Sequence, residues 1–145
     1  MPRGTALADK LAALQLDPQD LPRFDDLTPA QLRGVMKLFV ESLHTKCTEC
    51  HETDFSAPTR RKKIAVHMWD DLARRFALAS GEPIFCDSCH QQQLKPLVRG
   101  SDADLRAGMQ SSFIEHLERK DDQPMACTAC HVSDADHALL DRWSR

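Results

Sequence analysis

The chain of 145 residues contains no tyrosine and few aromatic residues of any kind: six Phe and two Trp, 6% of the whole. A domain of this length ordinarily fills its core with more rings, so the shortage points to something other than side chains occupying part of the interior. Long apolar runs are missing too. Stretches such as Leu11-Ala-Ala-Leu14 fall far below the roughly 18 residues of a membrane span, and no transmembrane segment is expected. Nor is there an excess of one charge. Nineteen Lys and Arg face 22 Asp and Glu, for a formal charge of −3 and a pI near 6.1, which argues against a nucleic-acid binder. A hydrophobic fraction of 41% and a charged fraction of 28% are ordinary for a globular protein and exclude wholesale disorder. The length allows one domain with a core, not two comfortable ones.

What is present is cysteine in a single arrangement. All six fall in Cys-x-x-Cys pairs, each followed at once by His: Cys47-Thr-Glu-Cys50-His51, Cys86-Asp-Ser-Cys89-His90 and Cys127-Thr-Ala-Cys130-His131. This is the attachment motif of c-type haem. Each thiol adds to one haem vinyl group, the short turn holds the porphyrin edge, and the adjacent His becomes the proximal iron ligand. With seven His in the chain, His would follow a given pair about 5% of the time, so three in three by chance is on the order of 1 in 10,000. Three covalent haems are the expectation. Three disulfides would leave the histidines unexplained. Zinc, being four-coordinate, would use three pairs awkwardly, and a thioredoxin-type site wants one pair beside a βαβ pattern that is absent.

The pattern along the chain predicts helices. Ala6 to Leu16 is a short amphipathic stretch, followed by an acidic, proline-bearing loop to Asp26. Thr28-Pro29-Ala30-Gln31 is a helix start with a capping box, and Leu32, Val35, Met36, Phe39, Val40 and Leu43 carry that helix to about Leu43. A second long helix opens at Arg60-Arg-Lys-Lys63 and runs to about Ala79, stopped by Gly81 and Pro83. Ser101 with Asp104 caps a third, through Leu105, Met109, Phe113 and Leu117; Ser133 with Asp136 caps a terminal one carrying Leu139, Leu140 and Trp143. No alternating strand is evident. The predicted fold is all-α, with repeated helix–turn–motif units: an N-terminal helix and acidic loop over 1–26, then a trihaem domain over 27–145 with units of about 27–59, 60–100 and 101–145.

An internal repeat supports the units. At an offset of 41, Met68 falls on Met109, Leu72 on Phe113, Phe76 on Leu117 and Cys86 on Cys127. Met36 precedes Cys47 by 11 residues, whereas Met68 and Met109 each precede their first Cys by 18; the difference of 7 is about two helical turns. A helical Met thus lies upstream of every attachment site. Thioether is soft, suits haem iron and raises its potential, so Met36, Met68 and Met109 are candidate distal ligands; a Met on an apolar stripe is otherwise simply core.

The run Met36-Lys-Leu-Phe-Val-Glu-Ser-Leu43, then Cys47 to His51, Asp54-Phe55, and Lys63-Ile-Ala65 with Met68 resembles the cytochrome c subunit family of photosynthetic reaction centres, which includes short two-haem relatives outside phototrophs. The resemblance covers about 32–90, with 100–131 as a further copy of the unit. It implies a periplasmic multihaem electron carrier with Met36 and Met68 as distal ligands. This chain has three sites where the full subunit has four. His44 stands near a helix-ending Gly of that family, and Gln91-Gln92 where Arg-Gly often follows the second His. A non-photosynthetic relative is the expectation.

Four histidines remain. His67 adjoins Met68 but points about 100° away. His116 precedes Cys127 by 11, as Met36 precedes Cys47, and competes with Met109 for the third iron. His44 and His137 lie near attachment sites, where they can reach haem propionates. The Arg60–Lys63 patch is a solvated face, or else neutralises propionates or docks an acidic partner. With every iron six-coordinate the protein is an electron carrier between unidentified redox partner proteins. The alternative is a haem enzyme or small-ligand sensor with one five-coordinate iron. Haem attachment implies export, so a periplasmic location is expected, although Met1–Lys10 lacks the roughly 7–15-residue apolar core of a signal peptide.

Overall fold

The computed structural model describes residues 1–96, 100–132 and 139–145. The expected cap at Ser133–Asp136 and His137 lie outside them. Helix α1 (Ala8–Ala13) is followed by an irregular segment, then by α2 (Pro29–Leu43). The start of α2 is as the sequence predicts: Thr28 Oγ1 accepts from Gln31 N–H at 3.1 Å, and Thr28 N–H donates to Gln31 Oε1 at 3.0 Å. At its far end His44 takes a left-handed conformation, φ 47°.

The all-α expectation is overturned. About 49% of the described residues are helical, and β1 (Phe76–Leu78) pairs antiparallel with β2 (Leu117–Arg119). Both strands occupy stretches that the four-residue spacing of Met68, Leu72 and Phe76, or of Met109, Phe113 and Leu117, assigns to helix. The helix α3 (Arg60–His67) widens into a π-helix over Met68–Ala73 and then breaks. Likewise α5 (Asp102–Met109) widens over Gln110–Ile114. A four-residue apolar spacing fits a 3.6-residue turn and a wider π turn alike, so periodicity alone does not locate the break.

The register pairs Phe76 with Arg119, Ala77 with Glu118 and Leu78 with Leu117. Ala77 and Glu118 are 41 residues apart, the repeat offset, so a local pseudo-twofold axis passes through this pair. Hydrogen bonds beside it come in matched copies. Ala79 N–H donates to His116 O at 2.8 Å, and Lys120 N–H to Arg75 O at 2.9 Å. Arg74 N–H reaches Trp69 O at 3.0 Å as Glu115 N–H reaches Gln110 O at 3.1 Å. The turns after the strands match as well, with Gly81 at φ 88° and Asp122 at φ 60°.

Two apolar clusters flank this arrangement. One gathers Leu7, Leu11, Leu16, Leu21, Val35, Leu38, Trp69, Ala73 and Phe85. Half of the eight aromatic side chains meet there: Phe24, Phe39, Trp69 and Phe85, with ring centroids 5.6–6.4 Å apart. The scarce rings are thus concentrated around the fully buried Trp69, whose Nε1–H donates to Pro22 O at 2.8 Å. The second cluster, Phe76, Ile84, Leu117 and Ala129, lies at the sheet. The helix α6 (Leu139–Trp143) rests on α3, with Trp143 stacked on His67 at 5.5 Å and Arg60 paired with Asp141 at 2.9 Å. Among the described residues no helix is long and apolar enough to cross a membrane.

Candidate functional site

Each Cys-x-x-Cys-His segment folds as one tight helical turn. Cys47–Glu49 and Cys127–Ala129 are 3₁₀ turns, whereas Cys86–His90 is α4. In the first, Cys50 N–H and His51 N–H both donate to Cys47 O, at 3.2 and 2.8 Å; in the third, Cys130 N–H and His131 N–H donate to Cys127 O, at 3.3 and 2.9 Å. The turn therefore sets two thiols and an imidazole at fixed relative positions before any cofactor is considered.

The imidazoles of the first two motifs are oriented by backbone. His51 Nδ1 lies 3.2 Å from Phe55 O, and the Phe55 ring stacks on it with centroids 4.6 Å apart. His90 Nδ1 lies 2.8 Å from Gln93 O. An Nδ1–H donated to a carbonyl leaves Nε2 with its lone pair outward, the tautomer that binds metal. Burial lowers the His90 pKa, against opposing hydrogen bonds to the Gln93 and Leu94 backbone, which keeps the ring in the neutral form that ligation needs.

The six cysteines are free thiols: Cys47 and Cys127 exposed, Cys50, Cys86, Cys89 and Cys130 half-buried. Burial pushes the Cys86 thiol up to about 12 and Cys89 up to about 11, and it raises Cys50 and Cys130 as well. Among the described residues no three His, Cys, Asp or Glu side chains gather as a metal cage. In the first two motifs the donor set fits a haem, with two thiols on one turn and an imidazole aimed by a carbonyl; the third repeats the turn with its two thiols and His131.

The second motif is fastened to the N-terminal segment. Asp87, inside the motif, accepts from Thr5 Oγ1 at 2.6 Å and from Ala6 N–H at 2.9 Å. No sequence pattern signals this bond across some eighty residues. The first motif is tied to α3: Thr59 Oγ1–H donates to Cys50 O at 2.6 Å, Arg61 pairs with Glu49, and Lys62 Nζ reaches Phe55 O and Ala57 O at 2.9 and 2.8 Å. Three members of the basic patch Arg60–Lys63 thus hold internal partners, while the Arg60 and Arg61 side chains stay 55% and 41% exposed on a solvated face.

Met36 lies in mid-α2, half-buried. Met68 and Met109 occupy one junction of the repeat, where α gives way to π. His67 is turned to Asp71, Nδ1 to Oδ2 2.7 Å. His116 does not continue the α5 face as the sequence predicts. It lies in the turn before β2, and its Nδ1 is buried with no hydrogen-bond partner among the described residues.

A cavity of about 300 Å³ adjoins the second motif, lined by Cys89, Leu105, Gly108, Met109, Ser112 and Phe113 among others. No protein-family model, curated protein or solved structure matches the chain.

Proposed function

We propose that the protein is a multihaem c-type cytochrome, an exported electron carrier with three covalent haems. Cys47, Cys50, Cys86, Cys89, Cys127 and Cys130 form the thioethers. His51, His90 and His131 are the proximal ligands, and Met36, Met68 and Met109 supply distal thioethers. The observation that carries this reading is the triple Cys-x-x-Cys-His, in which His51 and His90 have Nδ1 against a carbonyl and Nε2 left over. The sequence resemblance to reaction-centre cytochrome subunits points the same way, toward a non-photosynthetic relative.

When bound, the haems supply one-electron exchange. The chain's own residues hold the rings, fix the proximal tautomer and close the distal side. Three haems in 145 residues place the metal centres close enough for electrons to pass without movement of the chain.

The test uses protein matured with the haem-attachment machinery behind an export signal. Low-spin optical bands in both redox states, with no carbon monoxide bound by the reduced protein, are the expected result. Near-stoichiometric carbon monoxide binding or a high-spin spectrum overturns full six-coordination and favours an enzyme or ligand sensor.

A further inference from the structure

We infer that residues Arg3–Leu7 form a strap that locks the second attachment motif, so that Cys86 and Cys89 take a haem only before the strap closes, whereas the first motif accepts one at any stage. The inference rests on the haem reading above and adds to it an order of loading.

The strap runs across α4 and the turn before it. Arg3 N–H donates to Ser88 O at 3.2 Å and Thr5 N–H to Pro83 O at 3.1 Å. Thr5 Oγ1–H and Ala6 N–H hold the two carboxylate oxygens of Asp87, at 2.6 and 2.9 Å, and hydrogen bonds to an ionised acceptor are the strong ones. Thr5 Oγ1 also accepts from Leu7 N–H at 3.0 Å, which leads the strap into α1. Both ends are pinned. Leu7 is buried in the first apolar cluster, and Gln91, just after the motif, donates from Nε2 to Met1 O at 2.9 Å.

This fastening belongs to the second motif by sequence as well as by contact. Asp87 occupies the place between the thiols that Thr48 and Thr128 hold in the other two motifs. Those threonines are exposed, whereas Asp87 is 8% and Ser88 0% exposed. The core holds the second motif from further sides. Cys86 packs against the cluster that contains Trp69, Ala73 and Phe85, and Gln92 N–H donates to Ser42 O of α2 at 2.9 Å. The first motif is tied only to α3 nearby, and Cys47 stays exposed. Attachment adds a thiol S–H across a vinyl C=C: the C–S bond forms, the π bond is lost, the hydrogen passes to the adjacent carbon, and no oxidant or reductant is consumed. Both thiols must therefore reach the porphyrin edge, and a thiol packed into a core is inert. Cys86 leaves the cluster only if α4 shifts, and the strap opposes that shift.

The test follows the full chain through maturation, in cells that carry the attachment machinery and an export signal but are starved of haem. Haem is restored after the chain has accumulated, and the haem peptide of each motif is then quantified by mass. Wild-type chains folded before haem returns are expected to fill the first motif at least about tenfold faster than the second, the order of effect of one bond to a charged acceptor. Thr5→Val, which leaves the motif untouched, and Asp87→Thr, which makes it resemble the other two, should fill both motifs at similar rates. Each variant is first shown, at full haem supply, to carry three haems with the parent's optical spectrum and thermal transition, so that unfolding is not mistaken for release. Equal filling of the two motifs in wild type overturns the lock, as does a folded variant that is as slow at the second motif as its parent. Should neither variant fold, the wild-type chase decides alone, equal filling against the lock and preferential filling of the first motif for it. A chain with no covalent haem even at full supply defeats the cytochrome reading, and the lock with it.

Discussion

His44 ends α2 in the left-handed region, at φ 47°, where an L side chain meets its own carbonyl and glycine does not. His44→Gly is therefore expected to raise the unfolding free energy by about 1 kcal/mol, measured by urea denaturation; a fall would mean the imidazole makes a stabilising contact that outweighs the strain. Gln92, at φ 67°, stands in the same kind of position. The cysteines yield a second prediction. The thiolate is the reactive form, so raising a thiol's pKa lowers the reactive fraction at a given pH. In protein prepared without haem, alkylation at pH 8 should reach exposed Cys47 and Cys127 first and Cys86, pushed up to about 12, last. Peptide mass mapping reads the order, and early labelling of Cys86 would contradict the burial described. The thiols and the histidines proposed as proximal ligands stand out in the sequence because the Cys-x-x-Cys-His spacing names its own residues. The groups that aim two of the imidazoles do not, since Phe55 O and Gln93 O are backbone carbonyls that any residue would offer.

At the scale of elements, α2 illustrates what local rules capture. Thr28, Pro29 and Gln31 specify its first turn, and the capping box forms as written. Thr28→Ala should cost about 1 kcal/mol in chemical denaturation, and an unchanged midpoint would show that the cap is redundant. The ends of the two later helices show what local rules miss. β1 and β2 are three residues each, too short to display alternation, and each acquires its partner only through the other copy of the repeat. Because Ala79 N–H and Lys120 N–H are equivalent bonds across the axis, they are expected to exchange with deuterium at similar rates, opening together. A tenfold or greater difference would show that the two units open separately. His116 was misplaced for the same reason: the helix that was to carry it ends at Ile114.

For the molecule as a whole, composition indicated an interior short of rings, and the structure concentrates half of them around Trp69 while the second cluster relies on Phe76, Ile84, Leu117 and Ala129. The repeat offset of 41 was legible, and with it the equivalence of Met68 and Met109. The twofold that crosses the units was not, because a repeat in sequence does not state how its copies face one another. The most direct test of the central claim is the intact mass of the matured protein under denaturing conditions. The account predicts a mass equal to the chain plus three haems, retained after acid–organic extraction. A mass of the bare chain, alongside a control cytochrome that matures normally, would contradict it.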